Sequence, residues 1–340
     1  MRVVRFKERL ERVYRGHERL CHFLGKAAAG ICVLAVLKGQ TGYAALLGNP
    51  FLLTGLALLY GIFPQSLSLL LTAGLALFQL YSLSVCAAVT GGAVLVILLL
   101  LYFGIAEKNG RSFLLTPVFY GVQIPFAAPV VFGLTGSGTS LAGVLFGTIW
   151  YYTLNTIQGQ AEVLRAAGGS IRRASDVEGL ITQCSALTDL ILRRREMILM
   201  LFVCAGVWLV VFVGRQMAVR YAWTMAAGAG ALVFAILVPA GSVVLDLPFH
   251  AAGFAGGIAL AGLVTAVVQL FVFLPDYKGT ESVQFEDEDY YYYVRAVPKL
   301  RSMDREVQKE AEEPEELSRE ERRRMRREQH LEQEKETERM

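Results

Sequence analysis

Three groups of residues in this chain are of types and spacings that do chemistry. Asp246 and His250 flank Pro248 in the run L-D-L-P-F-H. At positions i and i+4 they would share a face of a continuous helix, and a carboxylate beside an imidazole makes a proton-responsive pair. The plainer reading is an interfacial turn, with Asp246 hydrated and His250 near a helix start. The second group is Pro117, Pro125 and Pro129, with Gln123 among them, inside the apolar stretch 113–134. Each proline removes a helix hydrogen bond and clashes with the carbonyl four residues earlier. Broken backbone at membrane depth is tolerated only against protein or a watery cavity. The stretch is therefore either a kinked spanning helix or a re-entrant element of the kind that lines transport sites. The third group is a run of four acids, Glu286–Asp289, followed by Tyr290, Tyr291, Tyr292 and Tyr293. Consecutive carboxylates point to alternate sides of an extended chain, a poor cage for calcium. The tyrosines suit a short strand or a segment that docks on a protein partner.

Other chemistries find no support in the residues. Cys21, Cys32, Cys86, Cys184 and Cys204 form no C-x-x-C pair, so neither a zinc site nor a disulfide framework is expected. Thr135–Ser140 reads T-G-S-G-T-S, a flexible loop without the lysine of a phosphate-binding loop. No nucleophile–base set stands out. The expectation is a non-enzyme with no cofactor, no metal and no nucleic-acid partner.

The elements that must position these groups follow from the charge distribution. Residues 21–274 hold 19 charged side chains in 254, against 10 in residues 1–20 and 34 in residues 275–340. Hydrophobic residues make up 54% of the chain, and mean hydropathy is +0.44. Helices of about 20 apolar residues cross a hydrocarbon core of about 30 Å. The fold class expected is an all-α polytopic membrane protein of eight or nine spans, followed by a charged, partly helical or disordered tail. Nine apolar blocks run about 21–38, 44–63, 66–84, 85–105, 113–134, 141–157, 197–214, 222–240 and 250–274. The first is retained rather than cleaved, because no small-residue cleavage site follows a short apolar run.

Five regions result. Residues 1–20 form a basic amphipathic juxtamembrane helix. Residues 21–157 and 196–274 are two parts of a membrane bundle, joined by the polar loop 158–195 with an amphipathic helix around Val177–Leu192 and a hinge at Gly168–Gly169. Residues 275–340 are the tail, with a capping box at Ser318/Glu321 and no apolar heptad seam. Seven basic residues before Cys21 hold the N-terminus in the cytoplasm. Eight crossings are favoured, with 113–134 entering and leaving on the cytoplasmic side and both termini inside. Within the spans, Lys26 snorkels, and Gln79, Gln123, Asn155 and Gln269 are candidate interhelical hydrogen-bond partners. Gly143/Gly147, Ala226/Gly230 and Gly253/Gly257/Ala261 form small-residue faces for packing within the chain or in a homo-oligomer. Trp150-Tyr151-Tyr152 and Trp223 read as anchors at the membrane interface.

The segments 113–134 and 281–300 carry a resemblance. The chain is similar to uncharacterised multi-pass membrane proteins of anaerobic Gram-positive bacteria, sometimes labelled ABC transporter permease. Those proteins have a like Pro-rich block and an acidic–tyrosine–basic stretch after the last span. The resemblance implies a plasma-membrane location. The tail and the prolines themselves, rather than the resemblance, give two functional expectations. The first is a non-enzymatic scaffold or complex subunit whose tail recruits a cytosolic protein. The alternative is a permease-like component that uses the Pro-broken segment.

Overall fold

The computed structural model describes residues 18–43, 49–106, 110–171, 177–217, 221–248, 250–272, 281–286 and 291–296. The basic segment before residue 18, the Ser318 capping box and Tyr290 lie outside them. Twelve α-helices occur among the described residues: α1 Glu18–Thr41, α2 Pro50–Ile62, α3 Gln65–Leu83, α4 Val85–Leu101, α5 Gly110–Gly121, α6 Ala127–Thr135, α7 Ser140–Gly159, α8 Ala161–Ile171, α9 Val177–Leu192, α10 Arg195–Gly214, α11 Ala222–Val244 and α12 Ala251–Val272. A π-helical turn, Tyr102–Ala106, ends α4.

Among the described residues six helices are long and apolar enough to cross a membrane: Arg19–Thr41, Gln65–Leu83, Val85–Ile105, Arg195–Gly214, Ala222–Val244 and Ala251–Gln269. The protein is thus a helical integral membrane protein. Three of the nine apolar blocks fall outside this set, each for a local reason. Block 44–63 gives the 13-residue α2, about 20 Å long. Block 113–134 is split in two. Block 141–157 becomes the 20-residue α7, whose Thr148, Thr153, Asn155, Thr156 and Gln158 dilute its apolar character.

Helix boundaries follow the punctuation in the sequence. The Asn49 side chain accepts the Phe51 N–H, and Pro50 occupies the first helical position of α2, where no N–H is needed. Ser84 ends α3 and caps α4, its hydroxyl accepting the Ala87 N–H at 3.0 Å. Threonine hydroxyls inside helices donate to the carbonyl one turn back, as Thr72, Thr116, Thr148 and Thr156 do, which satisfies them without water. The loop 158–195 is mostly helical. The α8 backbone runs through Gly168 and Gly169, so the expected hinge is helix there.

Contacts fix the relative directions. Gly61 of α2 packs on Phe23 of α1, and Gly91 and Gly92 of α4 pack on Leu80 and Leu77 of α3. Arg194 before α10 reaches Thr156 near the end of α7, while Trp208 near the end of α10 reaches Ser140 at its start. α11 returns along α10 with Gly214 against Ala226 and Gly241 against Leu199. Gln269 of α12 donates to the Trp223 carbonyl of α11 at 3.2 Å, an interhelical bond of the expected kind. One core unites α1–α4 with α7–α9, and a second unites α6 with α10–α12. A smaller cluster around Tyr120 and Cys204 joins them.

The tail segment is a separate unit. Its described residues form an antiparallel hairpin, β1 Glu281–Glu286 with β2 Tyr291–Ala296, in which Glu286 pairs with Tyr291 and Glu281 with Ala296. A short strand or docking segment is the expectation for the tyrosine run, and Tyr291–Tyr293 lie in β2; the helical or disordered stretch expected over 301–340 lies outside the described residues.

Candidate functional site

The segment 113–134 is neither one spanning helix nor a mild kink. It is two short helices, α5 and α6, joined by a tight turn. At that turn Gln123 adopts φ 64°. The Gln123 N–H donates to the Tyr120 carbonyl at 3.0 Å and the Ile124 N–H to the Phe119 carbonyl at 2.8 Å. That is a Schellman stop with Gln123 in the left-handed position usually held by glycine. Pro125 follows, where it cannot continue the helix. Pro129 is the third residue of α6, where an N–H has no intrahelical partner, so it costs nothing there. Pro117 lies inside α5, and the Phe113 carbonyl it leaves without a helical partner lies against Gly147 of α7.

α5 runs parallel to α7: Gly143 packs on Ser112, Gly147 on Phe113 and Thr116, and Tyr120 against Tyr151 and Tyr152. α6 then returns, so that Phe132, near its end, lies beside Ser140 at the start of α7. The two half-helices therefore enter and leave at the same end of the bundle. At the tip, Gly121 meets Val36 of α1, and the Gln123 carbonyl faces Gly257 of α12. Val36 lies five residues from the end of α1 and Gly257 six from the start of α12. The tip therefore stops about 8 Å short of the far end. Gly121, Val122 and Gln123 are exposed there, while Ala127–Leu134 are buried.

Two arginines hold the ends of this assembly. Arg215 follows α10 and donates to the Leu134 carbonyl and, at 2.7 Å, to the Gly136 carbonyl. It thereby caps the negative end of α6 with a full positive charge. Its guanidinium lies 4.7 Å over Phe212, which stacks on Trp208. Trp208 Nε1–H donates to Ser140 Oγ at 3.0 Å, and Ser140 Oγ–H donates to the Phe132 carbonyl at 3.0 Å. Burial draws the Arg215 pKa below its ordinary value. At the opposite end of α7, Arg194 binds Thr156 at 2.9 Å and Glu196 at 3.0 Å, with its guanidinium over Tyr152. Between these ends Tyr120 is fully enclosed, its hydroxyl 3.3 Å from both Cys204 Sγ and Thr148 Oγ1.

Asp246 and His250 do not share a helix face. The Asp246 and Leu247 N–H groups donate to Val243 and Ser242, ending α11 in a Schellman turn with Asp246 at φ 55°. His250 sits at the start of α12, its carbonyl accepting the Phe254 N–H. Both are exposed in the turn around Pro248. Trp150 and Tyr152 are buried and Tyr151 half-buried, so this triplet packs inside the bundle. The Thr135–Ser140 loop, expected to be flexible, is pinned by Arg215 and Ser140. No cluster of His, Cys, Asp and Glu fit for a metal occurs among the described residues.

The sequence reading missed Arg215 and Tyr120. Their signal was present, a lone arginine just past a span and a tyrosine within one, but their partners are 81 and 84 residues away. Comparison with protein-family profiles, with curated proteins and with solved structures finds no match to this chain.

Proposed function

We propose that the chain is a plasma-membrane protein that crosses the bilayer eight times and uses the α5–α6 hairpin as a permease-like translocation element. The crossings are α1, α2 with its preceding apolar residues, α3, α4, α7, α10, α11 and α12. The observation that carries the reading is the hairpin itself. It is a pair of half-helices pinned at its base, with a left-handed, exposed Gln123 at a tip that stops short of the far end. Non-helical backbone at that depth needs a watery or protein-lined setting, and half-helices of this type frame transport sites. Charge supports the orientation. The hairpin base shares its end with Lys26 near the start of α1 and with Arg111 and Arg215, as the preference of basic residues for the cytoplasmic side requires.

Two measurements test it. In a cysteine-free background, Gln123→Cys should react with an impermeant thiol reagent on intact cells, and Ser137→Cys only after permeabilisation. Inertness of Gln123→Cys from both sides would place the tip in lipid and end the proposal. Gly121 and Val36 are close enough for a Val36→Cys/Gly121→Cys disulfide. In proteoliposomes offered a cell extract, solutes enriched over empty vesicles should lose uptake on oxidation and regain it on reduction. If no solute is enriched, or the lock has no effect, the hairpin does not translocate.

A scaffold reading is favoured by one separate observation, the β1–β2 hairpin. A lone two-stranded hairpin is marginal in water, and a partner that adds a strand to its edge would stabilise it. Here the full-length protein with Tyr290–Tyr293 all changed to Ala should lose co-purifying cytosolic proteins that the wild type retains. Identical partner sets would remove this reading.

A further inference from the structure

A cavity of about 290 Å³ opens between α1, α2, α3 and α5 at the end of the bundle that holds the hairpin base. His22 and Lys26 reach it from α1, Gln65 and Ser68 from α3, and Arg111 from α5. No carboxylate among the described residues lines it, and neither Lys26 nor Arg111 is in an ion pair among them. The remaining wall is apolar, with Val33, Phe63 and Leu114. Val33 and Leu114 continue into a narrow cleft of about 30 Å³ beside Pro117 and Trp150. Lys26 is half-buried while His22 and Arg111 are exposed, so the cationic groups ring the mouth and the apolar wall lies deeper.

We propose that this cavity is a binding site for one anionic phospholipid, independent of whether the hairpin transports. The phosphate would sit among Lys26, Arg111 and His22, with hydrogen bonds from Gln65 and Ser68, and the glycerol and first methylenes against Val33, Phe63 and Leu114. Three chemical features select this occupant. Two basic side chains and an imidazole, with no carboxylate beside them among the described residues, favour an anion. Basic pockets between spans at a membrane surface match lipid head groups. The apolar wall would be wasted on a free inorganic anion but fits an ester with chains attached. Occupancy would hold α1 to the base of α5, and so the lipid would act as a brace for the hairpin.

The test uses full-length protein in phosphatidylcholine nanodiscs, with phosphatidylglycerol titrated in and bound lipid counted by native mass spectrometry. One phosphatidylglycerol should be retained in preference to phosphatidylcholine. Lys26→Gln/Arg111→Gln should weaken that binding by about 30-fold, while Lys26→Arg/Arg111→Lys keeps it within a few-fold and Lys38→Gln leaves it unchanged. The charge-preserving pair guards against a folding defect. Equal retention by wild type and the double Gln variant overturns the site. So does displacement of the lipid by millimolar inorganic phosphate with phosphate retained in its place, which would make it a small-anion pocket.

Discussion

Arg215 does at a distance what a glycine or a local side chain does for most helices. Its two carbonyl partners, Leu134 and Gly136, belong to a different helix and loop. Charge-assisted hydrogen bonds of this kind contribute about 1.5–3 kcal/mol each. Arg215→Ala should therefore destabilise the fold by about 3 kcal/mol, seen as a lower unfolding temperature in detergent. Arg215→Lys should recover less than half, because a lysine lacks the planar fork that reaches two carbonyls at once. Equal stability of all three proteins would show that the clamp is idle. A second residue-scale prediction concerns Cys86 and Cys184, whose Sγ atoms lie 3.3 Å apart across 98 residues. Mild oxidation, with transfer of two electrons to copper-phenanthroline and oxygen, should join them in an intrachain disulfide, counted as two thiols lost to maleimide. Cys32, exposed on α1, should keep its thiol under the same conditions. No spacing rule in the sequence pairs these cysteines.

For the elements, the small residues at the expected packing faces of α7 and α12 divide cleanly by what they touch. A Cβ on Gly147 would meet the Phe113 carbonyl oxygen at 2.9 Å, backbone that cannot step aside, whereas one on Gly253 meets nothing within 4 Å. Gly147→Ala should destabilise by about 1–3 kcal/mol through overpacking. Gly253→Ala should be neutral or stabilising by up to about 1 kcal/mol, from helix propensity alone. Thermal melts of the two variants side by side check this pair. At the hairpin tip, Gln123 bears a left-handed strain that glycine lacks. Gln123→Gly should raise stability by about 1 kcal/mol, and Gln123→Val should lower it, by the steric cost of a β-branched side chain at positive φ. If the hairpin straightens into one helix in solution, the order of these two reverses.

At the scale of the whole molecule, sidedness governs every functional reading. With the hairpin turning back, the start of α1 and the end of α12 fall at the same end of the bundle. Single cysteines at Ser170 and Ser302 in a cysteine-free background decide this with an impermeant thiol reagent on intact cells. Labelling at Ser170 and silence at Ser302 is expected for eight crossings. The reverse pattern would establish nine and put the tail outside.

Chain order and composition alone determined the helical membrane class, the position of many helix ends, and the fact that 113–134 is perturbed by its prolines, either kinked or broken. These are local properties: hydrophobic runs, capping residues such as Asn49 and Ser84, and prolines act within a few residues of themselves. The direction in which the broken segment turns was not local. It depends on α7 presenting Gly143 and Gly147 to α5 and on Arg215 reaching α6 from the end of α10. Asp246 and His250 illustrate the same limit. Their spacing fits one helix face, yet the left-handed turn at Asp246 and Pro248 separates them. The cationic cavity was equally hidden, because His22, Lys26 and Arg111 come from helices 85 residues apart in sequence and meet only when α1 packs along α5. Tertiary structure decided these sites because charge–dipole and packing contacts act between surfaces, and a sequence does not state which surfaces meet.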